Sequence, residues 1–281
     1  MAGVTEKLLT QPGTLYSLSG GTRTKVNLSR PWQMDLPYNP EKCPFCTKTE
    51  AEVMEVHPAW RVLGNPQTPH EFHRLVIPRA CPTKDWTRTL GGRTEIENAL
   101  SAYGKVAPTA WHEGFRNTVF AVHVGYLAGQ NLGHTHWHLC DAMNPEKESI
   151  ESTINRSYKY SNNHKKPIFE NFHGFTAYVE GANAGQVYLI SNSLRYIDRG
   201  MMNLAYAISE IISLYNTKFV STQGLMPEYN VSVVARGARL RYATYVPILN
   251  QKGFPHVLAM TGDSAMTLPW PHETTVEFLK S

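Results

Sequence analysis

The run His134-Thr135-His136-Trp137-His138-Leu139 constrains the fold of this chain more than any other segment. Histidine recurs at every second position, and a period of two is the pattern of a strand with two different faces. On such a strand His134, His136 and His138 share one face, while Thr135, Trp137 and Leu139 turn toward a core. Three imidazoles on one face need polar partners. They can hold a metal together, or act as nucleophile, orienter and helper in chemistry at phosphorus. A histidine-rich strand without a role is the third reading.

Around this strand the chain reads as an ordinary soluble protein of 281 residues, 42% hydrophobic and 18% charged, long enough for one large domain or two small ones. Its net charge of +4 is too small and too scattered to argue for nucleic acid or a membrane surface as partner. The densest basic stretch, His164-Lys165-Lys166, reads as a solvated loop. Residues 1–12 lack the apolar core of a signal peptide, and no uninterrupted apolar run is long enough to span a bilayer. Four cysteines in a chain of this length do not make a disulfide framework, so the expected location is the reducing cytoplasm. There, Cys43-Pro44-Phe45-Cys46 reads as a metal knuckle more readily than as a redox pair, because it does not open a helix after a strand.

The patterning places the elements. Residues 1–40 are rich in Gly, Pro, Ser and Thr and read as an extended arm. Trp60–Leu63 and His73–Ile77 read as strands bounded by Asn65-Pro66 and Pro78. Thr94-x-x-Glu97 has the form of a capping box, and Ile96, Ala99, Leu100, Tyr103 and Val106 follow at helical spacing until Pro108, which should end or kink the helix. Thr118–Val124 is a strand, and a Gly-containing loop, 125–133, leads into the histidine strand. After a polar linker, 143–171, come strands at Phe175–Val179 and Gln186–Ile190 and an amphipathic helix marked by Met201, Leu204, Ala205, Ile208, Ile211, Ile212 and Tyr215. Strands at Tyr229–Val234 and Arg239–Val246 complete the series. The order strand, strand, helix, strand, strand thus occurs twice, and only the first set carries the histidine run.

Gly129-Gln130-Asn131-Leu132-Gly133-His134-Thr135-His136-Trp137-His138-Leu139 resembles the signature of the histidine-triad superfamily, G-Q-S-φ-x-H-φ-H-φ-H-φ with φ apolar. His73-Arg74-Leu75-Val76-Ile77-Pro78-Arg79-Ala80-Cys81 is similar to that superfamily's H-x-L-V-I-P-K-x-H stretch. Arg30-Pro31-Trp32-Gln33 and Cys43-Pro44-Phe45-Cys46 resemble elements of its galactose-1-phosphate uridylyltransferase branch, whose members carry two such halves in one chain. The resemblance implies an α+β fold of antiparallel sheet and helices, built as two pseudo-symmetric halves. Residues 1–142 would form an N-terminal arm with the catalytic half, and 143–281 a linker with a second, non-catalytic half.

The resemblance also implies a mechanism. The middle histidine of the triad attacks the α-phosphorus of a nucleotide, so His136 is the expected nucleophile, with a backbone carbonyl near the first histidine accepting from its other nitrogen. His138 would contact phosphate oxygens, and Gln130 and Arg30 would donate to the transferring group. Gln33, His123 and Asn131 match substrate- or phosphate-contacting positions, and Asn65 is either a base or ribose contact or a turn residue. Zinc-bearing branches use the first triad histidine as a ligand, which implies a structural zinc held by Cys43, Cys46, His134 and Cys81, the last standing where the family has histidine.

Three positions depart from the pattern. His138 replaces the glutamine of the uridylyltransferases, Asn131 the usual serine, and His123-Val124-Gly125 the family's N-x-G. The expected activity is nucleotidyl transfer or phosphorolysis of a nucleotide-sugar or dinucleoside polyphosphate. Hydrolysis, with water as acceptor, and a non-catalytic nucleotide-binding module are the alternatives. The expected partners are a small nucleotide-containing substrate and a second copy of the chain in a homodimer.

Overall fold

The computed structural model describes residues 39–47, 55–56, 58–65, 70–79, 92–125, 128, 130, 132–141, 167–179, 186–191, 197–223, 228–248 and 279–280. The first strands are β1 (Glu55–Val56), β2 (Trp60–Gly64) and β3 (His73–Pro78). Helix α1 (Arg93–His112) follows, then β4 (Asn117–Val124) and β5 (Trp137–Asp141). Three further strands, β6 (Phe169–Phe172), β7 (Phe175–Val179) and β8 (Val187–Ser191), precede helix α2 (Ile197–Gln223). Strands β9 (Glu228–Arg236) and β10 (Arg239–Ile248) complete the fold. All ten strands join one antiparallel sheet in the order β1-β2-β3-β5-β4-β9-β10-β8-β7-β6.

The register explains why the sheet has two different faces. One row across it reads Val62, Val76, Trp137, Val122, Val231, Tyr245, Val187 and Val179. Every member of that row is apolar or aromatic and buried. The next row lies on the opposite face and reads Leu63, Leu75, His138, Ala121, Ser232, Thr244, Tyr188 and Tyr178. The first face is covered by both helices, which pack on each other, with α1 against β2–β5 and α2 against β10. Ile96, Ala99, Leu100, Tyr103 and Val106 of α1 and Met201, Leu204, Ala205, Ile208, Ile211, Ile212 and Tyr215 of α2 are all buried there, as their spacing predicts. Phe120 stacks between Tyr103 and Trp137, with ring centroids at 4.7 and 4.6 Å. Strand β5 is thereby anchored on a rigid aromatic pile.

Four local expectations are corrected. Thr94 and Glu97 make no capping box: the helix starts at Arg93, after Gly92 at φ 96°, and no side chain caps it. Glu97 pairs with Arg93 at 3.1 Å instead. Pro108 does not end α1, which runs to His112, because Ala107 and Ala110 on either side of it are buried in the core and packing outweighs the missing hydrogen bond. The end of the polar linker, Phe169–Phe172, is an edge strand paired with β7. The ladder of β5 begins only at Trp137, so His134 and His136 lie in the segment leading into the strand rather than on it. Among the described residues no helix is long and apolar enough to cross a membrane.

Candidate functional site

The segment ahead of β5 leaves the ladder because its histidines are pulled in different directions. His134 is fully buried, and its Nδ1 lies 3.4 Å from Cys43 Sγ and 3.3 Å from Cys46 Sγ. Its Nε2 lies 3.3 Å from the Pro78 carbonyl, to which it donates. The proton on Nε2 leaves a lone pair on Nδ1, aimed at the two sulfurs. These three ligand atoms lie within 4.8 Å of one another. A tetrahedral zinc, with sulfur at about 2.3 Å and nitrogen at about 2.0 Å, separates such atoms by roughly 3.5 Å, so the cluster fits that ion. Cys81 lies outside the described residues. Burial, with help from His136 and Arg61 and against the Pro78 bond, lowers the His134 pKa from 6.5 to about 4 and keeps the ring neutral.

His136 is oriented by its own chain. Its Nδ1 lies 2.9 Å from the His134 carbonyl oxygen and donates to it, which leaves Nε2 with the lone pair. Phe45, from the turn between the two cysteines, sets its ring 5.0 Å from that of His136 and 5.7 Å from that of His134. The cysteine turn and the oriented histidine therefore form one packed unit.

His138 sits 4.9 Å from His136, ring to ring, and 5.3 Å from His123. Its Nδ1 is 2.9 Å from His73 Nε2, and His73 Nδ1 is in turn 3.3 Å from Asn65 Nδ2. An amide nitrogen only donates, so the chain has one sense. Asn65 donates to His73 Nδ1, His73 Nε2–H donates to His138 Nδ1, and His138 carries its proton on Nε2. Asn65 thus sets the tautomer of His73. His70, whose Nδ1 contacts the Asp141 carboxylate at 3.3 Å and its carbonyl at 3.1 Å, packs its ring 5.5 Å from His73.

The loop before His134 is braced from within. Gln130 Oε1 accepts from the Gly125 N–H at 2.9 Å, and Gln130 Nε2 donates to the Leu132 carbonyl at 2.8 Å. Both ends of its carboxamide hold the loop. His123 Nδ1 lies 2.6 Å from Asn230 Oδ1 on β9. Arg30, Gln33 and Asn131 lie outside the described residues. Cys140 is a buried core thiol, pushed well above its ordinary pKa by burial.

The structure therefore brings together Cys43, Cys46, His134, His136, His138, His123, Asn65 and Gln130. It adds His73, His70, Phe45 and Asn230, to which the sequence alone assigned no role. His73 stands in a quoted motif, and its placement beside His138 depends on the β3–β5 register. No local pattern marks Asn230.

No protein-family model matches the chain, and no curated protein matches it in sequence. Solved structures do match in three dimensions. A uridylyltransferase superposes with a TM-score of 0.56 over 91% of this chain and 92% of its own, at 16% identity. A galt-like protein from Arabidopsis thaliana gives a TM-score of 0.55 over 85% of this chain and 90% of its own, at 17% identity. The chain has their fold. An ADP-glucose phosphorylase from Arabidopsis thaliana, solved with ADP-glucose bound, shares it at a TM-score of 0.52 and 14% identity, over 79% of this chain and 81% of its own. At these identities the likeness is one of fold, and the chemistry has to be argued from the residues.

Proposed function

We propose that the chain is a nucleotidyltransferase or phosphorylase that works through a covalent nucleotidyl-His136 intermediate on a nucleotide-sugar or dinucleoside polyphosphate. One observation carries this reading: the 2.9 Å bond from His136 Nδ1 to the His134 carbonyl, which leaves Nε2 deprotonated and directed away from its own backbone. In the first step Nε2 attacks the α-phosphorus and the phosphate-type leaving group departs. His138, with its proton on Nε2, donates to a phosphate oxygen or to the leaving group. Arg30, Gln33 and Asn131 are assigned to phosphate and substrate binding by their motif positions, and Gln130, with Arg30, to donating to the transferring group. The uridylyltransferase and the ADP-glucose phosphorylase of like fold support a nucleotide-containing substrate.

The same reading assigns Cys43, Cys46, His134 and Cys81 to one structural zinc, which when bound ties the cysteine turn to the segment carrying His136. It also divides the chain into two related units, 1–142 and 143–281. The strand order supports this: β2-β3-β5-β4 on one side of the sheet matches β7-β8-β10-β9 on the other, with β4 and β9 at the junction. The assembly proposed is a cytoplasmic homodimer, which sedimentation at low protein concentration would test.

The deciding measurement is acid quench and mass analysis after incubation with nucleotide-sugars and dinucleoside polyphosphates. Wild type should carry a nucleoside monophosphate on His136. His136→Ala should lose several orders of magnitude in turnover while still binding substrate, and His138→Gln should be milder. An adduct on another residue, or an active His136→Ala enzyme, would overturn the mechanism. Release of nucleoside monophosphate without added phosphate would identify water as the acceptor.

A further inference from the structure

Strand β9 reaches into the histidine cluster of β3–β5. Asn230 stands directly opposite His123 in the β4–β9 ladder, and its Oδ1 lies 2.6 Å from His123 Nδ1. Both side chains are almost fully buried, at 1% and 3% exposure, so water does not compete for this bond. A carboxamide oxygen only accepts, so the proton is on His123 Nδ1 and a basic lone pair remains on Nε2. The neighbouring His138 ring, 5.3 Å away, has the opposite polarity: its Nδ1 takes the His73 proton and its own proton is on Nε2. One site thus holds a ring set as donor and a ring set as acceptor, the first fixed through His73 by the half-buried Asn65 amide and the second by the buried Asn230 amide. Two residues before Asn230, Glu228 Oε2 accepts from the Ala128 N–H at 3.3 Å, so β9 also fastens the loop that follows His123.

We propose that His123 is the general base of the second step and that Asn230 is its positioning residue. The proposal rests on the reading of His136 as the nucleophile. The resembling superfamily carries Asn-x-Gly where this chain has His123-Val124-Gly125, and asparagine has no basic nitrogen. In the step assigned here the acceptor O–H gives its proton to His123 Nε2 as its oxygen bonds to phosphorus. The bond from phosphorus to His136 Nε2 breaks, and its electron pair returns to the imidazole. A base acting on the acceptor is worth about 100-fold or more. The second half of the sheet is therefore part of the catalytic site, through the tautomer it imposes.

The test has two arms. In wild type, long-range proton–nitrogen spectra of histidine-labelled protein should show His123 protonated on Nδ1 and bare on Nε2. Asn230→Leu should lose that preference, and Asn230→Asp, which keeps an acceptor, should retain the Nδ1 proton. A wild-type His123 protonated on Nε2 would overturn the proposal, whatever the variants do. In the second arm, adenosine and uridine 5′-phosphorimidazolides load His136 directly and the adduct is followed by intact mass. His123→Gln should form the adduct and discharge it to water or phosphate about 100-fold more slowly than wild type. Discharge at the wild-type rate would overturn the proposal and leave His136 as nucleophile standing. Absence of any adduct in wild type would overturn both.

Discussion

Six histidines, at positions 70, 73, 123, 134, 136 and 138, form one connected cluster, and each is distinguished by what its second nitrogen touches. A carbonyl partner on Nδ1 leaves the lone pair of His136 on Nε2, whereas a carbonyl partner on Nε2 turns Nδ1 of His134 to the sulfurs. The same residue type thus presents its lone pair on opposite ring nitrogens two positions apart. Burial of His134 also has a measurable consequence. Its folded pKa of about 4 lies below the unfolded value of 6.5, so between these pH values the unfolded chain binds the extra proton. The stability contributed by the neutral ring is full above about pH 6.5 and is lost as pH falls toward about 4. Chelator-treated protein should show a melting temperature that declines across this window, and His134→Gln should flatten the decline. The zinc-loaded protein should carry about one ion per chain and hold it until the pH falls below about 4, where His134 takes up a proton and protonated imidazole cannot ligate. Elemental analysis showing no zinc in protein prepared without chelator would count against the ligand set. The alternation of His134, His136 and His138 was visible in the sequence, and so was the Cys43–Cys46 pair. The roles of His73 and Asn230 were not, because each becomes a neighbour of the triad only through pairing between strands.

Most elements were legible from hydrophobic spacing, and the exceptions share a cause. Helix α1 passes through Pro108, and the run before β5 leaves the strand at His136, because tertiary contacts outweigh local preference at both places. The loop from Gly125 to Gln130 is the sharpest case. Gly125 has φ 99°, and a Cβ there would fall 2.3 Å from Glu228 Cγ on β9. Two independent penalties thus meet at one residue, an unfavourable backbone region and a collision with a side chain from a distant strand. Gly125→Ala should lower the unfolding free energy by roughly 1–3 kcal/mol. It should also weaken the Gly125 N–H bond to Gln130, so activity should fall more than stability alone explains. Thermal melts and adduct-formation rates measured together would check this. Gly125→Ala combined with Glu228→Ala should recover part of the lost stability by removing the collision, though not the cost of the positive φ. The glycine was readable as part of a motif, but Glu228, about a hundred residues away, was not.

At the scale of the molecule the two sets of strands meet at β4 and β9, along eight paired positions from Asn117–Arg236 to Val124–Tyr229. Helices α1 and α2 pack on each other across the same junction. A fragment of residues 1–142 would expose the β4 edge that pairs with β9 and the surface of α1 that packs on α2. Expressed alone it should self-associate or fail to unfold cooperatively, whereas the full chain should give one cooperative transition. Size exclusion and denaturant melts of the two would tell, and a monomeric, cooperatively folding fragment would contradict the expectation. By itself the sequence determined the helices, most of the strands, the apolar face under the helices, and the histidines and cysteines of the candidate site. These depend on spacing, which a chain displays residue by residue. The tertiary structure decided which strand lies beside which, that Asn65 and His73 point the His138 proton, and that Asn230 and Glu228 enter the site from the far half of the sheet. Those facts rest on register and close approach between segments remote in sequence, and a hydrogen bond spanning 107 residues leaves no local pattern to read.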